Sequence, residues 1–273
     1  MNFQPRDTAG TPEVKIKTEG LAELSRPSAT ARFFMKIVER AEQLNIRFAR
    51  LGTPPVYDNA VFPWAKEIEK AAPLIRAELD KVLVRKSELP NFQDISADVK
   101  TISTDQGWKT YFLIAFGVKS DHAIAACPES WKAVQHIPGL KTAMFSIFEP
   151  GKHLPAHRGP YNGVLRLHLG LIVPEPRDKI AIRVKDEICH WEEGKVLIFD
   201  DSFEHEAWNH SDKTRVVLFV DFMKPLRFPA NVVNWLLMNI ALFTPFVREG
   251  LDNHKKWEQR FYAEAERIRN AKG

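Results

Sequence analysis

Two histidines and an arginine in the second half of this chain are of types and spacing that could do chemistry together. His157 and His205 are each expected in a loop just after or before a β-like run, and Arg215 follows the second by ten residues. Two imidazoles suit Fe(II) as borderline ligands and leave coordination positions for a bidentate 2-oxo acid and for O2. A planar guanidinium pairs both oxygens of a carboxylate and keeps its charge when buried, so Arg215 is the natural partner for the far end of such an acid. Any single histidine of the nine is more often structural or exposed than ligating. His122, His136, His190, His210 and His254 are therefore given no role, and His153 is a rival ligand only by its closeness to His157.

These residues need a rigid frame, and the pattern around them is one of short strands. Trp108–Gly117, Thr142–Phe148, Gly163–Val173, Ile180–Val184, Val196–Phe199 and Arg215–Phe222 are rich in β-branched and aromatic residues between polar or Gly/Pro turns. Repeated short strands of this kind predict a double-stranded β-helix, the jelly-roll or cupin-like barrel, rather than a parallel sheet. On the strand from Gly163, alternation puts Leu165, Leu167, Leu169 and Leu171 on one face and Arg166, His168 and Gly170 on the other, where Gly170 clears space beside the two polar groups.

Helical patterns flank the strands. Phe34, Ile37, Val38, Ala41, Leu44 and Phe48 recur at helical intervals after a Ser28 or Thr30 cap, which predicts a packed face. Trp64–Leu83 is a second helix in which Pro73 should force a kink or restart, and Pro128–Ile137 is a short third. The expected organisation is a polar, partly disordered segment over 1–28, a helical region over 29–100 packing on the barrel, the barrel over 101–226 and a helical end over 227–273.

The residues around the candidate site resemble the aspartyl/asparaginyl β-hydroxylase family, which includes bacterial lipid A and ornithine-lipid acyl-chain hydroxylases. The resemblance runs through Phe145-Ser146-Ile147-Phe148-Glu149-Pro150-Gly151, Pro155-Ala156-His157-Arg158-Gly159-Pro160-Tyr161-Asn162 and Leu165-Arg166-Leu167-His168-Leu169-Gly170-Leu171. It continues from Trp191 through Gly194, Asp200, Asp201 and His205 to Glu206, and ends at Arg215. It implies a Fe(II)- and 2-oxoglutarate-dependent dioxygenase that hydroxylates an unactivated C–H bond with succinate and CO2 as co-products. His157 and His205 would be the iron ligands, and Ser146 and Arg215 would contact the 2-oxo acid carboxylate. Arg166 and His168 would line the site near the 2-oxo acid and the substrate, Arg166 facing an anionic group.

One position departs from the general oxygenase pattern. Two residues after the first histidine such enzymes carry an Asp or Glu ligand, but here that residue is Gly159. Some members of the resembled family also have glycine there and rely on two histidines and water. Asp201 or Asp200 could hold that water from outside the metal's own ligand set, and the residues alone leave the choice between them open.

Composition bounds the rest. The chain has 273 residues, 39 Lys and Arg against 35 Asp and Glu, with the charges interspersed, so no nucleic-acid partner is expected. Two cysteines outside any Cys-X-X-Cys pair point to a reducing compartment and to buried apolar roles. The N-terminal segment lacks the apolar core of a signal peptide, and no stretch has the roughly 20 apolar residues of a membrane span. Val232–Val247 comes nearest and reads either as a helix packed on the barrel or as one lying on a membrane surface. Three functions follow. The first is hydroxylation of a membrane-lipid acyl chain at the cytoplasmic membrane face, with peripheral contact through Leu236, Leu237, Ile240, Leu242 and Phe243 and the flanking Lys224, Arg227 and Arg248. The second is β-hydroxylation of Asp or Asn in a peptide, with Arg166 on the substrate carboxylate or backbone. The third is a non-enzymatic barrel binding a metal or small acid. The lean is to the lipid.

Overall fold

The computed structural model describes residues 29–270, so the expected disordered segment and Ser28 lie outside the described residues. In chain order the elements are α1 (Ala29–Arg47), β1 (Val56–Tyr57), α2 (Ala65–Leu83), α3 (Phe92–Ile95), β2 (Trp108–Ala115), β3 (Val118–Lys119), α4 (Asp121–Ala126), α5 (Pro128–Val134) and β4 (Leu140–Phe148). They continue with β5 (His153–His157), β6 (Val164–Ile172), β7 (Ile180–Val184), β8 (Glu187–Cys189), β9 (Val196–Phe199), β10 (His205–Asn209), β11 (Arg215–Met223), α6 (Ala230–Ile240) and α7 (Pro245–Asn270). The described residues fall into two units divided between Val38 and Glu39, and the second holds every described strand.

Antiparallel pairing builds a seven-stranded sheet, β1-β9-β6-β11-β4-β2-β3, and a four-stranded sheet, β5-β10-β7-β8. The large sheet is covered on both faces and is therefore apolar on both. Leu165, Leu167, Leu169 and Leu171 pack outward with Ile68, Ile75 and Leu79 of α2. The inner face, with Phe112, Met144, Val217 and Phe219, meets Ile180, Ile182, Val184 and Ala207 of the small sheet. Two antiparallel sheets packed face to face are the jelly roll that the short strands predict.

The sequence predicts a kink or restart at Pro73, and α2 runs through it as one helix without a restart. Proline in a helix costs about 3 kcal/mol, whereas burying Ile68, Ile75 and Leu79 contributes about 1.5–3 kcal/mol each. On the face of α1 expected to be packed, Ala41 is buried and Leu44 and Phe48 are half-buried. In α6 the amphipathic sense is reversed. Ala230 and Asn234 point inward, and Asn234 Nδ2 donates to the Gly163 carbonyl at 2.8 Å, while Val232, Trp235, Leu236 and Ile240 are exposed.

A buried acid in α2 carries α5. The Glu78 carboxylate accepts from the backbone N–H groups of Glu129 and Ser130, each at 2.8 Å, and from Ser130 Oγ at 2.6 Å. An anion at a helix N-terminus satisfies donors that the helix itself leaves unpaired.

Candidate active site

His157 and His205 lie on strands, where the sequence pattern suggests loops. The segment 153–157 contains a proline and is mostly exposed, so it shows no alternation, as an edge strand need not. β5 pairs with β10 so that His157 and His205 stand opposite each other, ring centroids 4.2 Å apart. Each ring has a carbonyl at Nδ1: Pro155 O at 2.8 Å for His157 and Phe203 O at 2.9 Å for His205. A carbonyl only accepts, so Nδ1 carries the proton and Nε2 presents a lone pair, the arrangement that orients a metal-binding imidazole. Burial lowers the pKa of both rings, with Arg166 adding to it. His205, also facing His157, is pushed down to about 3. Both are thus neutral at ordinary pH, the form a metal needs. His153, the rival, is 3.4 Å from Glu206 and lies by Trp208 and His210 instead.

Asp201 takes the position that Gly159 leaves open. The Gly159 N–H donates to the Asp201 carbonyl at 2.8 Å, and a Cβ on Gly159 would overlap the Asp201 carboxylate. Of the two candidate carboxylates, Asp200 is taken by Lys224 and by Ser202 Oγ at 2.6 Å. Asp201 Oδ2 is 2.9 Å from Arg166 Nη2, and its Oδ1 is buried with no partner among the described residues. Among those residues no group of three His, Cys, Asp or Glu is placed to hold a metal; the two imidazoles stand together, and Asp201, with its free carboxylate oxygen, lines the same cavity as His157. We expect Gly159→Ala to displace Asp201 and weaken Fe(II) binding by roughly 10–100-fold, the usual cost of losing an outer-shell partner. An iron titration in which Gly159→Ala matches the wild type would show that Asp201 plays no such part.

A set of unsatisfied donors marks a second end of the site. Arg215 is buried with no carboxylate partner among the described residues. Its guanidinium lies between the rings of Phe148 (3.8 Å) and Trp191 (4.5 Å), and its Nε–H is unpaired. Burial pushes its pKa down to about 9, which still leaves it charged at neutral pH. Trp191 Nε1–H donates to His168 Nδ1 at 3.3 Å. That places the His168 proton on Nε2, a buried donor without an acceptor. Trp108 Nε1–H donates to Ser146 Oγ at 3.0 Å, which frees the Ser146 hydroxyl hydrogen to point elsewhere. Arg215 Nη1 donates to the Ser146 carbonyl at 3.4 Å, but a buried cation with no anion beside it, and two further donors around it, costs free energy unless an anion completes the set, so these residues fit the carboxylate of a 2-oxo acid. The two tryptophans that set this polarity were given no role from sequence, because tryptophan in a strand or before a turn reads as core.

Arg166 lines the site as expected, but its guanidinium is engaged. It bonds Asp221 at 2.8 and 3.2 Å and Asp201 at 2.9 Å, and lies 4.2 Å over Phe219. Gly170 does not clear space for the polar pair. The backbone of Glu192 fills that space, with Gly170 N–H donating to the Lys195 carbonyl at 3.0 Å and Gly194 N–H to the Gly170 carbonyl at 2.8 Å. This close approach is what brings Trp191 inward.

From His157, Asp201 and Arg166 a cavity of about 500 Å³ runs out past Phe219, Phe112 and Phe116 to Met238 and Leu251 of α6 and α7. Its walls are mainly apolar, as in sites that hold a hydrocarbon group and fix it with few polar contacts. Two neutral imidazoles, a buried guanidinium with no anion beside it and an apolar channel thus lie together inside the jelly roll.

The aspartyl/asparaginyl beta-hydroxylase family model matches residues 69–225. A Rhizobium tropici protein described as ornithine lipid ester-linked acyl 2-hydroxylase is 73% identical over 259 residues, covering 95% of this chain and 92% of that one. The human aspartyl/asparaginyl beta-hydroxylase is 39% identical over 123 residues, covering 43% of this chain and 16% of the human protein. Among solved structures, a Pseudomonas putida prolyl-4-hydroxylase aligns at 21% identity with a TM-score of 0.37, covering 56% of this chain and 87% of that one. The chain belongs to the aspartyl/asparaginyl β-hydroxylase family.

Proposed function

We propose that this protein is a Fe(II)- and 2-oxoglutarate-dependent hydroxylase of a membrane-lipid acyl chain, the ester-linked acyl chain of an ornithine lipid. The observation that carries this reading is the apolar cavity leading from His157 to the exposed apolar helix α6. The 73% identical relative of almost the same extent supports it. The peptidyl alternative needs Arg166 for a substrate carboxylate, and Asp221 and Asp201 already hold that guanidinium.

In this reading His157 and His205 hold iron, Ser146, His168 and Arg215 receive the distal carboxylate of 2-oxoglutarate, and Asp201 accepts from a water beside the metal. Iron bound there would supply the activation of O2 for insertion into a C–H bond. The protein's part is to hold the acid in one orientation, align the acyl carbon and keep water out of the channel. Mass spectrometry of ornithine lipid after incubation with Fe(II), 2-oxoglutarate and O2 tests this through the appearance of a lipid heavier by one oxygen.

We further propose that the protein works at the cytoplasmic membrane face, with α6 lying on an anionic bilayer surface. Val232, Trp235, Leu236, Ile240 and Phe243 are exposed, and exposed Arg227 and Arg248 flank them. An apolar face with basic neighbours is what an interfacial helix presents. Lys224, expected to share that role, is buried against Asp200 instead. Among the described residues no single helix is long and apolar enough to cross a membrane. Trp235→Glu with Phe243→Glu is expected to abolish sedimentation with anionic vesicles and leave the melting temperature unchanged, since neither side chain is buried. A large drop in melting temperature together with no vesicle binding by the wild type would return the peptidyl reading to first place.

A further inference from the structure

A second cavity, also of about 500 Å³, lies beside the site and differs in character. Its walls include Arg158, Lys185, Asp186, Glu42, Ser202 and Phe203. Arg158 lines this cavity and the apolar one alike. The second cavity also touches both proposed iron ligands through their neighbours: Arg158 follows His157 in the chain, and the Phe203 carbonyl holds His205 Nδ1.

The charges here are uncommitted. The other cations on its walls are paired, Arg183 with Glu204 and Glu206 and Lys224 with Asp200. Among the described residues Arg158 and Asp186 have no ion-pair or hydrogen-bond partner, and the Lys185 ammonium has only the Phe203 ring, 5.9 Å away. Lys185 also sits at φ 55 in the two-residue turn between β7 and β8. A side chain in that left-handed region is strained where glycine would not be. A lysine kept at a glycine position, with its ammonium at the wall of a cavity, is the sort of outlier that marks a functional site.

We propose that this second cavity binds the zwitterionic amino-acid headgroup of the lipid, with Arg158 and Lys185 facing its carboxylate and Asp186 its ammonium. This rests on the acyl-lipid reading and deepens it. An acyl 2-hydroxylation takes place at the carbon next to the ester carbonyl, where the polar and apolar parts of the lipid meet. The iron site must then stand at the junction of a polar and an apolar compartment, and the residue shared by the two cavities adjoins His157. The headgroup in one compartment and the chain in the other would set which carbon reaches the metal.

The test is binding of Nα-acetylornithine, a soluble headgroup carrying one carboxylate and one ammonium, to the whole protein by calorimetry. KM values for ornithine lipid and for a methyl ester of the same acyl chain are measured alongside. Arg158→Ala and Lys185→Ala should each weaken Nα-acetylornithine binding and raise the KM for ornithine lipid by roughly tenfold, the loss of one hydrogen bond to a charged group. Lys185→Ala should use the methyl ester and 2-oxoglutarate as the wild type does. Lys185→Gly should melt higher than the wild type while binding the headgroup more weakly, a split that a structural role for Lys185 would not give. An unchanged KM for ornithine lipid in both alanine variants, or an equal loss on the methyl ester in Lys185→Ala, would overturn the headgroup site and leave the acyl-lipid reading standing. Charge-dependent binding of Nα-acetylornithine by a protein that hydroxylates no acyl lipid would uphold the site and overturn that reading.

Discussion

His157→Ala and His205→Ala, made separately, should each abolish Fe(II) binding and 2-oxoglutarate turnover while the barrel stays folded. If these two are the protein ligands, as proposed, each carries half of the fixed donor set, so the loss should exceed the roughly 10–100-fold that follows removal of an outer-shell partner. The fold should tolerate the change because both rings are polar groups held neutral, His205 buried and His157 half-buried, and truncation removes that desolvation along with a few contacts. The two hydrogen bonds lost, to the Pro155 and Phe203 carbonyls, contribute about 0.5–1.5 kcal/mol each. Succinate release under added iron, read beside a thermal melt, checks both halves. Full activity in either variant removes that histidine from the centre.

Arg215 offers the second large effect, and its two substitutions should separate function from stability. Arg215→Lys keeps a charge but loses the fork that engages two oxygens, and the 2-oxoglutarate requirement should rise on the order of a hundredfold. Arg215→Met should abolish 2-oxoglutarate binding outright, yet the ligand-free protein should melt no lower than the wild type. The reason is that the wild type buries a guanidinium between Phe148 and Trp191 with only a 3.4 Å hydrogen bond to the Ser146 carbonyl and no anion beside it, and replacing a buried, uncompensated charge with an apolar chain of similar length removes a penalty. The wild type, by contrast, should gain melting temperature as 2-oxoglutarate is added. An Arg215→Met protein that melts far below the wild type would mean that the guanidinium already stabilises the fold and is not waiting for an anion.

The two predictions draw on different depths of information. The sequence by itself determined the class of fold and the identity of the polar residues. Alternation on the strand from Gly163 was enough to set four leucines against Arg166 and His168, because a strand's period of two is a local property. Ordered blocks from Phe145 to Arg215 were enough to point to the family. What sequence could not supply was every relation between residues far apart along the chain. Which carboxylate stands near the histidines was open between Asp200 and Asp201, and packing decided it by giving Asp200 to Lys224 and placing Asp201 against Gly159. That Arg166 is committed to Asp221 and Asp201 while Arg215 has no such partner is equally invisible in one dimension, since both are arginines on neighbouring strands. The outward turn of α6 buries Ala230 and Asn234, with Asn234 donating to the Gly163 carbonyl, and leaves Trp235, Leu236 and Ile240 exposed, which its composition does not announce. Local periodicity follows from backbone geometry and is written into each segment. Which charge is compensated, and which apolar face is covered, depends on the segments brought against it, and those are chosen only when the barrel closes.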